Sequence, residues 1–207
     1  MATGNIAELI TPFVSLPLDP RQLGQLSTYL DQLLKWNRRI NLTSVRGPEA
    51  IIERHFGESL FAAEHLLTFG AGTAIDLGSG AGFPGLPMAI MAPDVRFTLI
   101  ESQGKKATFL KEMARALDLK NVEVFPKRAQ EFGGHADLVT MRAVELFVEV
   151  VPIAARMLNA RGRLAMLSTG ELHAVLGEAT HRAGLTIEAV HHLPKSENRA
   201  LFVARKG

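Results

Sequence analysis

The chain has no cysteine among its 207 residues. That excludes disulfides, thiolate metal sites and every reaction that proceeds through a cysteine nucleophile. Long apolar runs are missing too: nothing approaches the roughly 18 to 20 residues of a membrane span. Residues 1–12 lack the basic start and apolar stretch of a signal peptide, so a soluble, cytoplasmic protein without a membrane partner is expected. Charge of one sign is not in excess, since 23 Lys and Arg stand against 21 Asp and Glu, a formal +2. A nucleic-acid surface would therefore have to be local. There is no low-complexity run and no repeat of 20 to 50 residues. What is present is 47% apolar residues, enough for the core of one α/β domain with a modest extension.

Residues 1–70 read as a helical extension. Asp19-Pro20 is a helix start, an N-cap followed by proline at the first helical position. Leu23, Leu26, Leu30, Leu33, Leu34 and Trp36 then recur at the spacing of one buried face. A second start at Gly47-Pro48 leads into Ile51, Ile52, His55, Phe56, Ser59, Leu60 and Ala63, again at helical spacing. From residue 71 onward short apolar runs alternate with helical stretches, the pattern of βα units on a parallel sheet. Strands are expected at 73–77, 96–100, 122–125, 136–140 and 162–167, and helices at 84–91, 104–117, 146–158 and 171–183. Residues 185–193 and 200–204 are both strand-like, with 194–199 as a hairpin loop. The fold expected for residues 71–207 is thus a Rossmann-like α/β methyltransferase sheet, strand order 3-2-1-4-5-7-6 with the last strand antiparallel.

Asp76-Leu77-Gly78-Ser79-Gly80-Ala81-Gly82-Phe83-Pro84-Gly85 runs from an apolar strand through a glycine turn into a helix. Alternate glycines let backbone approach a ligand where a Cβ would clash, and a helix N-terminus offers free N–H groups. Gly80-x-Gly82-x-x-Gly85 formally matches the dinucleotide fingerprint. Asp76, two residues before Gly78, makes the pattern Asp-x-Gly-x-Gly-x-Gly, and the chain ends in a hairpin rather than a substrate domain. Both features favour S-adenosylmethionine over a dinucleotide. Glu101 closes the second strand, where a carboxylate can accept from two ribose hydroxyls. Ala129 and Gln130 follow the third strand, where an adenine edge would be held.

Absent motifs narrow the chemistry further. Carbon-5 methylation of pyrimidines needs a cysteine. The Asn/Asp-Pro-Pro-Tyr/Phe turn of exocyclic-amine methylation is replaced by Thr140-Met141-Arg142-Ala143, and no Lys-Asp-Lys-Glu set for ribose methylation is evident. A ring nitrogen such as guanine N7 asks least of the protein, because no proton must leave before attack. Arg142, after strand four, is the candidate catalytic residue, placed to bond guanine O6 or a phosphate.

Lys35, Arg38, Arg39, Arg46 and Arg54 gather on either side of the Asn41-Leu42-Thr43-Ser44 loop, a local phosphate-binding set. A solvated helix face is the alternative. Trp36 and His55 read as core residues, His55 with its hydrogen bonds satisfied. The seven histidines, His191-His192 included, show no metal-ligand spacing, so no metal is expected.

Trp36-Asn-Arg-Arg-Ile-Asn-Leu-Thr-Ser-Val-Arg46, Arg54-His55, the glycine loop through Pro87, and Met141-Arg142-Ala143 together resemble the bacterial 16S ribosomal RNA guanine-N7 methyltransferases of the glucose-inhibited division B type, methyltransferase G. The likeness runs through nearly the whole chain in order. It implies N7 methylation of a guanine in the decoding-region loop of 16S rRNA within the 30S subunit. It also implies cofactor contacts at Gly78, Phe83, Ala129, Gln130 and Arg142. The chain departs from the family pattern in two places: Leu167-Ser168-Thr169-Gly170 stands where a lysine is frequent, and Glu58 and Glu101 stand for aspartates. A small-molecule methyltransferase and a catalytically silent ribosome-assembly factor are the alternative readings.

Overall fold

Asp19 caps a long helix, as its place before Pro20 predicts. Its Oδ1 accepts from the Gln22 N–H at 2.8 Å, and Gln22 Oε1 accepts from the Asp19 N–H at 2.9 Å. The reciprocal pair satisfies two amides that helix geometry leaves open. This helix, α2, spans Pro20–Asn37 and follows a shorter α1 at Thr3–Ile10. Its buried face carries Leu26, Tyr29, Leu30 and Leu33. The structure, a computed structural model, describes residues 3–142 and 147–207.

From Pro48 to Leu66 the chain is helical without a break but not uniform. α3 (Pro48–Ile51) passes into a π-helical stretch at Ile52–Gly57, and α4 continues at Glu58–Leu66. A π turn takes up more residues than an α turn, so everything after it is rotated relative to the 3.6-residue pattern. The result is five consecutive buried residues, Phe56 to Leu60, where simple helical spacing would turn one or two of them outward. Glu58 is among those brought inside.

The sheet has the expected order, β3-β2-β1-β4-β5-β7-β6, with β7 antiparallel to both neighbours. Strands β1 (Thr73–Leu77), β2 (Arg96–Ile100) and β3 (Val122–Phe125) fall on the expected residues. β4 (Ala136–Arg142) runs two residues further and carries Arg142 as its last member. β5 (Leu158–Thr169) begins four residues early: Leu158 pairs with Ala136 across a register shift, and Arg161 takes a left-handed φ of 62°. β6 (Leu185–His192) and β7 (Arg199–Lys206) form the closing hairpin. The intervening helices are α5 (Gly85–Met91), α6 (Gly104–Ala116), α7 (Phe147–Arg156) and α8 (His173–Arg182). Leu146, expected to open α7, lies outside the described residues.

Two apolar layers sandwich the sheet. On one side Leu30, Phe56 and Leu60 from the first helices share a core with Leu86, Leu99, Phe109 and Leu201. On the other, Val151 and Ala154 of α7 and Leu176 of α8 meet Val139, Leu164 and Phe202. The N-terminal helices are therefore packed onto the sheet along with α5 and α6, and they reach the edge where the glycine loop lies.

One side chain secures the end of α5. Asn121 Nδ2 donates to the carbonyls of Ala89, Ala92 and Val95 at 3.2, 3.0 and 3.0 Å. Asn121→Ala removes the only side-chain donor described for these carbonyls and should cost about 1–3 kcal/mol. A urea melt should show a lower midpoint at unchanged slope, and an unaltered midpoint would mean that these bonds carry no net stabilisation.

Candidate active site

Because β1 to β5 run parallel, their carboxyl ends share one edge, and the loops after them converge there. β1 ends in Asp76-Leu77 and gives way to the glycine loop. Asp76 is 1% exposed. Its Oδ1 accepts from Thr140 Oγ1 at 2.9 Å and its Oδ2 from the Gly85 N–H at 3.2 Å. The first amide of α5, which the sequence suggested for a ligand, is thus taken by Asp76. Burial pushes this carboxyl up to about 6, against the hydrogen bonds and Arg142, which lower it.

The glycines of the loop serve different ends. Gly80 has φ +58°, and a Cβ there would meet nothing closer than the Gly78 carbonyl at 3.8 Å. That face of the loop is open for a ligand. Gly82 has φ +96°, and a Cβ would fall 2.5 Å from Leu86 Cδ1 and 2.6 Å from Tyr29 Oη. Gly82 is required by the protein's own packing, a reason for glycine that the ligand-approach argument did not include. Gly78 shares the left-handed backbone, φ 71°.

Tyr29, a residue the sequence reading passed over, holds this loop from outside. Its hydroxyl donates to the Ala81 carbonyl, and its ring lies nearly parallel to that of Phe83, 5.1 Å between centroids and 11° apart. His55 stacks on Phe83 as well, at 4.7 Å and 18°. Phe83 is 7% exposed, so its side chain is part of this aromatic stack and a cofactor could meet chiefly its backbone. Glu101, at the end of β2, accepts from the Gly80 N–H at 2.9 Å through Oε2 and from the Gln103 N–H at 2.7 Å through Oε1. Each carboxylate oxygen keeps acceptor capacity beyond these bonds. Ala129 and Gln130 form a short 3-10 turn after β3, Ala129 half-buried and Gln130 exposed.

Arg142 ends β4 with its side chain only 9% exposed. Its Nη2 lies 3.0 Å from Glu58 Oε2 and donates to the Arg54 carbonyl at 2.7 Å. Glu58 Oε1 accepts from Arg199 Nε at 2.6 Å. One buried carboxylate therefore holds two guanidinium groups, from β4 and from β7. Burial lowers the pKa of Arg142, and Glu58 opposes that shift. Arg142 Nη1 and His55 Nδ1 are the two buried side-chain polar atoms without a hydrogen-bond partner among the described residues. His55 is thus only half satisfied, contrary to expectation: Nε2 meets Thr43 Oγ1 at 2.7 Å and Nδ1 meets nothing. Its pKa falls to about 2, through burial first and then Arg142, Arg54 and Arg199, so the ring is neutral at any physiological pH.

The basic set borders this site. Lys35, Arg38, Arg39, Asn41, Arg46 and Arg54 are all exposed. They lie at the end of α2, in the following loop and on the π stretch. Asn37 shapes that loop, its Oδ1 accepting from Leu42 and Thr43 N–H and its Nδ2 donating to the Thr43 carbonyl. Arg46 Nη1 donates to the same carbonyl at 2.7 Å. Trp36 packs edge-on against Phe109 of α6, 5.6 Å between centroids. Among the described residues no three His, Asp or Glu side chains gather as a metal site. A cleft of about 320 Å³ lined by Thr73, Arg96, Asn121 and His135 opens at the amino ends of β1 to β3, the opposite edge from Arg142.

A glycine loop after β1, an acid closing β2 and a β6–β7 hairpin on this strand order define a Rossmann-like class I methyltransferase. The magnesium protoporphyrin IX methyltransferase of Synechocystis, solved with S-adenosylmethionine bound, has the same fold: TM-score 0.68 at 15% identity, over 94% of this chain and 100% of that one. A ribosomal protein L11 methylase from Lactobacillus delbrueckii aligns over 75% of this chain and 80% of its own at TM-score 0.62 and 14% identity. The chain belongs to the rRNA small subunit methyltransferase G family, whose sequence profile matches residues 22–201. A methyltransferase of that name from Chloroflexus aggregans is 37% identical over 99% of this chain and 91% of its own length. Another, from Xanthomonas euvesicatoria, is 37% identical over 92% and 90%.

Asp76 supplies a test of the buried site. A carboxyl whose folded pKa is raised to about 6 from 3.8 binds its proton more tightly folded than unfolded, so its ionisation subtracts stability as pH rises from 4 to 6 and beyond. Asp76→Asn retains an acceptor for Gly85 and offers a donor to Thr140 Oγ1. It should leave stability near wild type at pH 4 and raise it by about 1–3 kcal/mol at pH 7.5. Denaturant melts at the two pH values would read this, and a variant less stable at pH 7.5 would show that the fold favours the ionised carboxylate and that its pKa is not raised.

Proposed function

We propose that the protein transfers a methyl group from S-adenosylmethionine to N7 of a guanine in the decoding-region loop of 16S rRNA, with the assembled 30S subunit as substrate in the cytoplasm. On this reading residues 1–70 are a helical extension that carries the RNA-docking set and residues 71–207 are the cofactor-binding domain. The observation that carries the reading is the buried Arg142, free at Nη1, lying on the same edge as the open face of Gly80 and beside an exposed basic set. Family membership supports rRNA as the substrate class.

S-adenosylmethionine supplies an electrophilic methyl on a sulfonium. The residues present fit it: the loop is open at Gly80, and Glu101 keeps acceptor capacity for ribose hydroxyls. Gly78, Gly82 and the Phe83 backbone complete the loop, Asp76 sets a negative field behind it, and Ala129 and Gln130 flank the adenine side. Guanine N7 has a lone pair ready for in-line attack, so no side chain needs to remove a proton. Arg142 is the one catalytic residue assigned, and its task is to orient the base through O6. Glu58, tied to two arginines, is not free to act as a base. Lys35, Arg38, Arg39, Asn41, Arg46 and Arg54 bind phosphate or sugar and set register.

Unmethylated 30S subunits should be methylated by the purified protein, with mass spectrometry of nucleosides giving 7-methylguanosine. A different modified nucleoside would overturn the assignment of the atom. Arg142→Ala should slow single-turnover transfer by about 10²-fold with much less change in cofactor affinity, because small misplacement is costly to in-line transfer, and lysine should rescue poorly. Near-normal transfer at saturating 30S would remove Arg142 from the site. Arg39→Ala and Arg46→Ala should weaken 30S binding and flatten its salt dependence while leaving cofactor binding alone.

A further inference from the structure

The two orphaned atoms, His55 Nδ1 and Arg142 Nη1, belong to one neighbourhood. Arg142 Nη2 bonds the carbonyl of Arg54, the residue before His55, and the guanidinium is close enough to act on the imidazole's charge. Leaving one buried polar group unpaired is costly, and two in one neighbourhood point to a ligand that completes both.

Hydrogen-bond accounting favours one tautomer of His55. Thr43 Oγ1 already accepts from the Val45 N–H at 3.1 Å, so its own proton is available to donate to His55 Nε2, 2.7 Å away. With Nε2 accepting, a neutral ring must carry its proton on Nδ1. The opposite tautomer would leave the Thr43 proton without a described partner. His55 Nδ1–H and Arg142 Nη1–H are then both donors. The ring that carries the first is fixed in place by its stack on Phe83, and the guanidinium that carries the second by Glu58 and the Arg54 carbonyl.

We propose that His55 is a specificity-determining residue which, together with Arg142, reads the O6 oxygen of the target guanine. Two fixed donors suit one carbonyl oxygen with two lone pairs. Adenine presents an N6 amino group at that position, a donor that would face two donors and leave all of them unpaired, and a site built this way rejects the wrong base strongly. The inference rests on the guanine-N7 reading above and adds to it the means of discrimination. The same pair of donors could instead receive the carboxylate of S-adenosylmethionine, and the experiment separates the two.

Three 30S substrates would be compared under single turnover: guanine, inosine (which keeps O6 and lacks the 2-amino group) and 2-aminopurine (which keeps the amino group and lacks O6) at the modified position. Wild type should accept inosine within a few-fold of guanine and lose about 10²-fold or more on 2-aminopurine. His55→Phe, which keeps the ring stack, should lose at least tenfold on guanine and little further on 2-aminopurine, so that its preference between the two shrinks. His55→Gln, with an amide donor, should recover part of that preference. Cofactor affinity should stay within about threefold in both variants. Discrimination by His55→Phe as strong as that of wild type overturns the proposal, as does a variant whose loss lies in cofactor affinity, which would assign the donors to the carboxylate. Should His55→Phe not fold, the wild-type comparison still decides: 2-aminopurine methylated as fast as inosine sinks the proposal. Wild type inactive on guanine-bearing 30S would instead sink the guanine-N7 reading itself.

Discussion

The arrangement of the site depends on one buried carboxylate. Glu58 is 1% exposed, and an uncompensated charge at such a depth would cost several kcal/mol. It is held there by two guanidinium groups that arrive from different strands, Arg142 on β4 and Arg199 on β7. The consequence for Arg142 is that Nη2 is fully engaged while Nη1 is left without a partner among the described residues. A second link, Lys195 in the hairpin loop to Glu53 on the π stretch, runs parallel to the first. Together they tie the hairpin loop and the start of β7 to the helix that carries Arg54, and losing either arginine partner would leave Glu58 under-compensated in the core.

The same helix reaches the glycine loop by a different kind of contact. His55, Phe83 and Tyr29 form a run of near-parallel rings, with Phe56 tilted against two of them. Aromatic stacks of this kind are worth about 0.5–1.5 kcal/mol per pair beyond their buried area. More important here is direction, since the stack joins the helix bearing Arg54 to the turn between Gly82 and Pro84. Movement of one cannot proceed without the other, because cores are packed too tightly to absorb it.

Much of the fold was legible because strands buried on both faces leave mostly apolar runs, as at 97–100 and 138–141, each interrupted only by a threonine. The capping of α2 by Asp19 could be read from adjacent residues alone. The π stretch could not, since nothing in residues 48–66 marks where an extra residue enters a helical turn, and that turn is what brings Glu58 inward. Tyr29 was hidden for a related reason: Leu26, Leu30 and Leu33 account for the helical stripe without it, and its partner Ala81 lies 52 positions away. Asp76 could be read from the sequence only as part of the glycine-turn pattern, and its bonds to Thr140 and Gly85 within the protein could not. Glu58 left a trace that could have been followed, a charged residue beside Ser59 in an apolar stripe, which calls for a buried partner.

The contact between Trp36 and Phe109 carries a practical consequence. Trp36 is the chain's one tryptophan, half-buried at the seam of α2 and α6 and flanked in sequence by Lys35, Arg38 and Arg39. All tryptophan emission from the molecule therefore originates at a single indole, on the border of the basic set and away from the buried rings around Phe83. On the proposed function, quenching or a spectral shift on mixing with RNA would report docking at that border directly, without a label and without turnover. Stopped-flow fluorescence could then time substrate arrival separately from the chemistry that follows it.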